Sequence, residues 1–263
     1  MGAGTLSPWA PRLTILGSGT IRCTAKRQPP GYLVGDPNSG PCILIDPGPG
    51  TLAALPRAGA TPEGIDLVLV THTHIDHHLD LAALLFARHV PTYEGSGAAP
   101  LVVGGPSSLT PVLEGWSRLY GRWVTEPGWD FRPLAPGRHR LGALQVETAA
   151  AEHLGMEALA LRLTLPGCAP LCYTGDTEAS PRVTALARGA ELLLCECACP
   201  DEAPAAGHLT PAAAGRLARD AGATRLVLTH FYPETLASDP AAGAAAFFSG
   251  PVTVARDLDT FTF

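Results

Sequence analysis

One stretch constrains this chain more than any other: Thr71-His-Thr-His-Ile-Asp-His-His78, directly after the apolar run Asp66-Leu-Val-Leu-Val70. Four histidines and one aspartate fall within seven positions. The apolar run is short, β-branched and preceded by a glycine, so it reads as a buried strand. The polar cluster then sits at the strand's C-terminal end, where α/β sheets place their sites. Imidazole is the commonest metal ligand, and so many in one turn serve no structural purpose without a metal. The spacing suggests two ions. His72 and His74, two apart, can point to the same side of an extended segment. Asp76 and His77 lie on the following turn and can face a second ion, while His78 reads as the start of the next helix.

The rest of the chain sets limits. Its 263 residues suit one large domain or two small ones, and 46% hydrophobic with 16% charged residues implies an ordinary core rather than disorder. Glycine and proline are scattered as punctuation between apolar runs, and no short period suggests a solenoid. The net charge of −6 argues against tight nonspecific nucleic-acid binding. Seven cysteines is an odd number, and Cys195, Cys197 and Cys199 alternate along one apparent strand, a poor geometry for pairing with each other. Free, mostly buried thiols in a reducing compartment are expected. No export signal or membrane-length apolar run is apparent. The expectation is a soluble cytoplasmic protein without a membrane partner.

In order, strands are expected at Arg12–Leu16, Gly31–Val34 and Cys42–Asp46, with Asp36–Gly40 as a hairpin turn between the last two. Gly17 and Gly19 make a tight turn in preference to a phosphate cradle. A short helix near Leu52–Arg57 precedes the strand Asp66–Val70. Leu79 to Arg88, apolar at nearly every position, reads as a buried helix, and 91–100 as a loop. After a strand at Leu101–Val103, Ser107 or Ser108 caps a helix to Tyr120, with Leu109, Val112, Leu113, Trp116, Leu119 and Tyr120 inward. Trp123 to Gly137 gives no clear pattern. Strands follow near Leu144–Ala149, Ala158–Leu165 and Pro170–Tyr173, then a helix near Arg182–Ala187 and the run Glu191–Glu196. Thr210 caps a helix with Pro211 at its first position and Gly222 at its end. Arg225–Thr229 is a buried strand; a helix near Pro240–Phe248 and strands near Val252–Ala255 and Leu258–Phe263 finish the chain. The theme of strands and helices occurs twice in the same order without a linker. One four-layer αββα domain over 1–263 is expected.

Three residues stand at or just beyond strand ends: His153, Asp176 in Gly175-Asp-Thr177, and His230 after Leu226-Val-Leu-Thr. His208 precedes a helix. Singly each has a plain structural explanation; together, after His72-x-His74-x-Asp76-His77, they do not. This pattern resembles the metallo-β-lactamase fold superfamily, over nearly the whole chain from Leu13-Thr-Ile-Leu-Gly-Ser-Gly19 onward. The resemblance implies that His72, His74 and His153 hold one metal, that Asp76, His77 and His230 hold a second, and that Asp176 bridges both. Zinc is the first candidate, with manganese or iron as alternatives. Two such ions make water a nucleophile near neutral pH.

Within the superfamily the chain is most similar to the ribonuclease Z side. Leu192-Leu-Leu-Cys-Glu196, Gly207-His-Leu-Thr210 and Leu226-Val-Leu-Thr-His230 carry that likeness. It implies that His208 contacts the scissile phosphate or protonates the leaving oxygen, oriented by Glu196. The chain also departs from that branch. Only 22 residues separate His153 from Asp176, where the long transfer-RNA-gripping arm is commonly inserted, and the glycine soon after the metal motif is missing from His77-His-Leu-Asp-Leu81. Cys23 and Cys42 do not form the extra zinc cluster of the carbon–phosphorus-pathway phosphodiesterases. The leading expectation is therefore a phosphodiesterase acting on a small phosphodiester, such as a cyclic nucleotide or cyclic phosphate, with RNA less favoured. Hydrolysis of a lactone, thioester or β-lactam on the same two metals is the second reading. An iron oxidoreductase of the same fold is a third, and a non-catalytic binding module is the weakest. Resembling proteins are commonly dimers, which makes a homodimer an expectation.

Overall fold

The computed structural model describes residues 11–37, 40–90, 99–126, 128–142 and 144–263. Six strands build most of a first sheet: β1 (Arg12–Gly17), β2 (Gly31–Gly35), β3 (Ile43–Ile45), β4 (Leu67–Leu69), β5 (Leu101–Gly105) and β6 (Trp129–Pro133). Seven more build the second: β7 (Gly137–Leu141), β8 (Leu144–Ala150), β9 (Leu159–Thr164), β10 (Leu171–Tyr173), β11 (Leu192–Glu196), β12 (Arg225–Thr229) and β13 (Val252–Val254). The last strand, β14 (Thr260–Thr262), returns to the first sheet beside β1. The orders are β14-β1-β2-β3-β4-β5-β6 and β13-β12-β11-β10-β9-β8-β7. β3 to β6 run parallel, as do β10 to β13.

The continuous apolar runs follow from burial on both faces. Side chains alternate across a strand, so each run divides its residues between two cores. From β4, Leu67 and Leu69 enter the core between the sheets, whereas Val68 and the following Val70 face the helices on the other side. In β11, Leu192 and Leu194 join the inter-sheet core while Leu193 and Cys195 face the second helical layer. Three separate cores in this sequence make the α/β sandwich with helix, sheet, sheet and helix layers, as expected.

The helices are α1 (Thr51–Ala54), α2 (Leu79–His89), α3 (Thr110–Tyr120), α4 (Arg122–Thr125), α5 (Pro181–Leu186), α6 (Pro211–Ala221), α7 (Pro233–Ala237) and α8 (Pro240–Ala245). For α6 the sequence signals hold: Thr210 accepts a hydrogen bond from the Ala213 amide and Gly222 ends the helix at φ 60°. Such a cap contributes about 1 kcal/mol. Gly17 and Gly19 do not form the expected tight turn: Gly17 ends β1 and Gly19 bridges to Phe231, and close backbone packing accounts for both glycines. A Cβ on Gly17 would lie 1.8 Å from the Pro29 carbonyl oxygen, and the Gly19 amide is used by Gln28 O at 2.8 Å.

Other expectations need correction. Helix α2 is buried on one side only, through Leu81, Leu84, Leu85 and Arg88; Leu79 and Phe86 are exposed, the latter edge-on to Trp123. On α3, Leu119 and Tyr120 face solvent rather than the core. An apolar residue near a helix end escapes the buried stripe when the next segment turns away, as Gly121 does here at φ 56°. Ser107 and Ser108 do not cap a helix with their side chains; a 3₁₀ turn precedes α3, and both amides and the Ser107 hydroxyl bind Glu157. The unreadable stretch after Trp123 contains the end of α4 and strand β6, and α7 was not foreseen. β11 ends at Glu196, so only Cys195 of the three alternating cysteines is on a strand. All three are free and buried, and burial pushes the Cys195 thiol up, which makes it unreactive. Residues 91–98 of the expected loop lie outside the described residues.

Candidate metal centre

Parallel strands deliver the site residues to one edge of the sandwich. His72 lies just past β4, Asp176 just past β10 and His230 just past β12, while β8, parallel to β10 through two antiparallel pairings, leads to His153. Glu196 is the last residue of β11. Asp76 and His77 sit on a 3₁₀ turn, Ile75–His77, that directly follows His74.

Two groups of side chains converge there, and a third set, Asp176, His208 and His230, overlaps them. His72, His74, His153 and Asp176 form one, and Asp76, His77 and His230 the other; within each group the possible ligand atoms lie within 4.8 Å of one another. His74 Nδ1 is 3.1 Å from His72 Nε2 and 3.0 Å from His153 Nε2. Asp176 Oδ2 reaches both groups, at 3.8 Å from His72, 3.9 Å from His153, 3.3 Å from His77 and 3.5 Å from His230. His230 Nε2 is also 3.7 Å from Asp76 Oδ2. All seven residues named for metals in the sequence therefore meet in one place.

Hydrogen bonds behind the rings decide which nitrogens face inward. Thr71 donates its only hydroxyl proton to Asp46 Oδ2 at 2.7 Å, so it accepts from His72 Nδ1 at 3.1 Å. The Gly207 carbonyl can only accept, so His153 Nδ1 donates to it at 2.7 Å. Both rings thus turn an unprotonated Nε2 to the centre, as a metal ligand must. Burial lowers the His72, His74 and His153 basicities, and neighbouring histidines add to this, so the first group is held neutral.

The second group is charged. Burial opposes ionisation of Asp76, but the nearby His230 and His77 rings bring it down to about 2. Burial likewise disfavours a charged His77, yet the carboxylates of Asp176 and Asp46 outweigh that and hold it well above the usual imidazole range. His77 Nε2, both ring nitrogens of His230 and Asp176 Oδ1 are buried without a hydrogen-bond partner. Buried polar atoms are nearly always paired, so four such atoms around one point call for a ligand. The donor set of imidazoles and carboxylates suits divalent metal ions. His230 adopts φ 60°, strained for a non-glycine residue, as often happens at functional sites.

Asp46 is the functional residue that sequence reasoning missed. It is fully buried at the end of β3, which pairs in register with β4. It accepts from the Thr71 amide at 2.7 Å and hydroxyl at 2.7 Å, His77 Nδ1 at 2.8 Å and the Tyr173 hydroxyl at 3.0 Å. Through Thr71 and His77 it braces both groups. Its signal was available: an aspartate ending one strand beside the metal-motif strand, in Asp46-Pro-Gly-Pro-Gly50.

Glu196 is also fully buried, on a central strand between β10 and β12. The amides of Thr177, Leu209 and Ala198 donate to it at 3.0, 3.1 and 3.0 Å. With three backbone donors it acts as acceptor, so the proton in its 3.1 Å contact with His208 belongs to Nδ1 of the histidine. Burial opposes that charge, but the hydrogen bond and charge of Glu196 overcome it and raise His208 to about 9. His208 Nδ1 stands 4.0 Å from Asp176 Oδ2, and its ring stacks against His230 at 5.6 Å. His78 does not join the centre. Its Nε2 bonds to Thr73 O at 3.2 Å and its ring lies 5.5 Å from Trp116, at the N-terminal boundary of α2.

Comparison with known proteins identifies the family and the fold. A family model described as "Beta-lactamase superfamily domain" matches residues 42–231. A protein of Mycobacterium leprae (strain TN) named only as uncharacterised is 35% identical, over 95% of this chain and 88% of its own. A Streptomyces coelicolor protein named ribonuclease Z is 32% identical, over 94% of this chain and 95% of its own. The crystal structure of the metallo-β-lactamase fold protein YhfI from Bacillus subtilis superposes with a TM-score of 0.82 at 24% identity, covering 97% of this chain and 100% of that one. Among the described residues no helix is long and apolar enough to cross a membrane. The chain belongs to the β-lactamase superfamily, as a hydrolase of the metallo-β-lactamase fold.

Proposed function

We propose that this protein is a two-metal phosphodiesterase. One ion would be held by His72, His74 and His153 and a second by Asp76, His77 and His230, with Asp176 available to both. The observation that carries the choice of bond is the Glu196–His208 pair, 3.1 Å apart at the edge of the metal groups, with the glutamate buried and the histidine partly exposed. Acyl hydrolysis on two metals does not need such a pair, whereas a departing alkoxide or a charged phosphoryl oxygen does. When bound, such ions, with zinc as first candidate, would supply a nucleophile from water near neutral pH and neutralise phosphoryl charge.

The chain's own groups do the rest. Glu196 fixes the His208 ring by holding its Nδ1 proton, so Nε2 is the edge left to meet substrate. A positively charged His208 at neutral pH attracts a phosphoryl oxygen or gives the leaving oxygen a proton. Asp76 is further fixed by the Ile21 amide, which donates to its Oδ2 at 3.1 Å. Thr71 and Gly207 keep His72 and His153 in the tautomer that faces inward.

A small phosphodiester, such as a cyclic nucleotide, is the proposed substrate, in a reducing, cytoplasmic compartment consistent with seven free cysteines. Ribonuclease Z-like cleavage of RNA is a second reading, favoured by the name of the Streptomyces coelicolor relative. Against it, the chain between His153 and Asp176 holds only β9, β10 and their connecting turns. The test is hydrolysis of an aryl phosphodiester, a cyclic nucleotide, a lactone, a thioester and a precursor transfer RNA by zinc- or manganese-loaded protein. Turnover of the small phosphodiesters with loss in His208→Ala is expected. Turnover confined to the acyl substrates, with His208→Ala unchanged, would overturn the proposal.

A further inference from the structure

A second cluster of charge shares no residue with the metal groups. A pocket of about 510 Å³ is lined by Lys26, Arg27, Gln28, Arg57, Arg256 and Asp257. Four cations therefore face one acid, in a chain whose net charge is −6. Asp257 is committed to building the pocket floor. Its Oδ1 accepts from the Ser18 amide at 2.9 Å and hydroxyl at 2.7 Å, and its Oδ2 from the Gln28 amide at 2.8 Å. The next nearest acid, Asp259, accepts from the Arg256 amide at 2.8 Å, and counting it still leaves the pocket positive.

Arg27 is fixed in place. Its Nη1 donates to Ser18 Oγ at 2.7 Å and to the Ala255 carbonyl, and its guanidinium lies over the Phe231 ring at 5.1 Å. Lys26, Arg57 and Arg256 are exposed, and among the described residues none of them is in an ion pair. Elsewhere on the surface several arginines take acidic partners, among them Arg22 with Glu234, Arg118 with Glu114, Arg138 with Glu147 and Arg182 with Glu152, but among the described residues unpaired cations do not converge on one pocket there as they do here. Like charges converging on a pocket repel one another, and a bound anion relieves that repulsion. Guanidinium groups match phosphate oxygens with paired N–H donors, and one of the three here is already oriented.

We propose that this pocket is a second binding site, for an anion carrying a diphosphate group. Arg27 forms its fixed wall, and Lys26, Arg57 and Arg256 close on the ligand from three separate segments. One loop links the site to the metal centre without making it part of that centre. The loop that carries Lys26 and Arg27 also carries Ile21, whose amide holds Asp76.

The test is calorimetric titration of the metal-loaded full chain at low salt with inorganic pyrophosphate and, separately, with ADP. These probes separate a free diphosphate from a nucleoside diphosphate as the source of the group. In Arg57→Ala/Arg256→Ala, binding of at least one probe should weaken by about tenfold or more, as expected for lost charge-assisted hydrogen bonds. Aryl phosphodiester hydrolysis should stay within about twofold, because neither arginine touches the centre. Arg57→Lys/Arg256→Lys should keep most of the affinity. Equal affinity in the wild type and the double-alanine variant would assign the binding to the metal centre and overturn the proposal. Binding of neither probe by the wild type would overturn it too. Since the readout is binding, the outcome is independent of which bond the metal centre hydrolyses.

Discussion

The two ligand groups share Asp176 and little else. His72, His74 and His153 form a nest of neutral imidazoles, with Asp176 as their one carboxylate. Asp76, His77 and His230 form a charged group, with Asp176 in front and Asp46 behind His77. In the first, burial keeps the rings unprotonated and their tautomers are set from behind, so the site is ready for a cation. In the second, the carboxylates of Asp176 and Asp46 favour the charged form of His77 against the opposing effect of burial. Two adjacent sites with the same kinds of ligand thus differ in charge, and the difference comes from which carboxylates stand around each.

The strongest way to break this comparison is Asp176→Ala, because that carboxylate stands within 4 Å of ring nitrogens in both groups. Metal content should fall for both sites, and phosphodiester turnover should drop on the order of a thousandfold, as for loss of a major charge-stabilising group. Elemental analysis beside initial rates checks it. Two ions per chain retained at full occupancy would show that the carboxylate does not link the groups.

Asp46→Asn tests what lies behind the rings. The amide can still accept from Thr71, but it loses the charge facing His77. Metal affinity should fall about 10–100-fold, the usual cost of removing a partner behind a ligating histidine. The charged group should lose more than the neutral one, since His77 touches Asp46 directly and His72 only through Thr71. Competition with a chromophoric chelator reads the two affinities separately. Equal losses would mean that Asp46 only supports the backbone.

What the sequence made legible follows from the same physics. The strand before the metal motif was plain because burial on both faces demands an unbroken apolar run, and the ligands were plain because imidazoles have no reason to crowd without a metal. Asp46 was not, because an Asp-Pro-Gly turn looks the same whether its carboxylate faces solvent or four donors. Only the pairing of β3 with β4 brings it to Thr71. Glu196 on β11 was legible only by resemblance, since local pattern cannot separate an edge strand from a central one. The outward Leu119 and Tyr120 were misplaced for a related reason: a helix stripe records which residues are apolar, not where the neighbouring layer stops.

Glu196→Gln separates the pair at the rim from the metal groups it borders. Metal content should not change, while kcat should fall about 10–100-fold with a smaller effect on KM, as for weakened acid catalysis. In metal-free protein the His208 ring should titrate near 9, because Glu196 favours its charged form over the opposing effect of burial. A raised histidine stabilises the fold below its unfolded value of about 6.5 and loses that contribution as pH climbs through 9. The variant should bring the titration down toward the ordinary range by NMR. An unchanged titration would remove Glu196 as the cause.

The smallest effect belongs to the member of the histidine cluster that stands outside both groups. His78 is next to His77 in sequence, but its ring turns to the Thr73 carbonyl and Trp116. His78→Ala should therefore keep both ions, lose about 1 kcal/mol of stability with the hydrogen bond and its packing, and stay within about threefold of wild-type turnover. Thermal unfolding and metal analysis of the same preparation test this. Loss of an ion from this variant would place His78 among the ligands, and the distinction between a neutral and a charged group would have to be redrawn around it. Retention of both would show that adjacency in the motif counts for nothing by itself. The 3₁₀ turn at Ile75–His77 rotates one histidine inward to the carboxylates and leaves the next to begin α2.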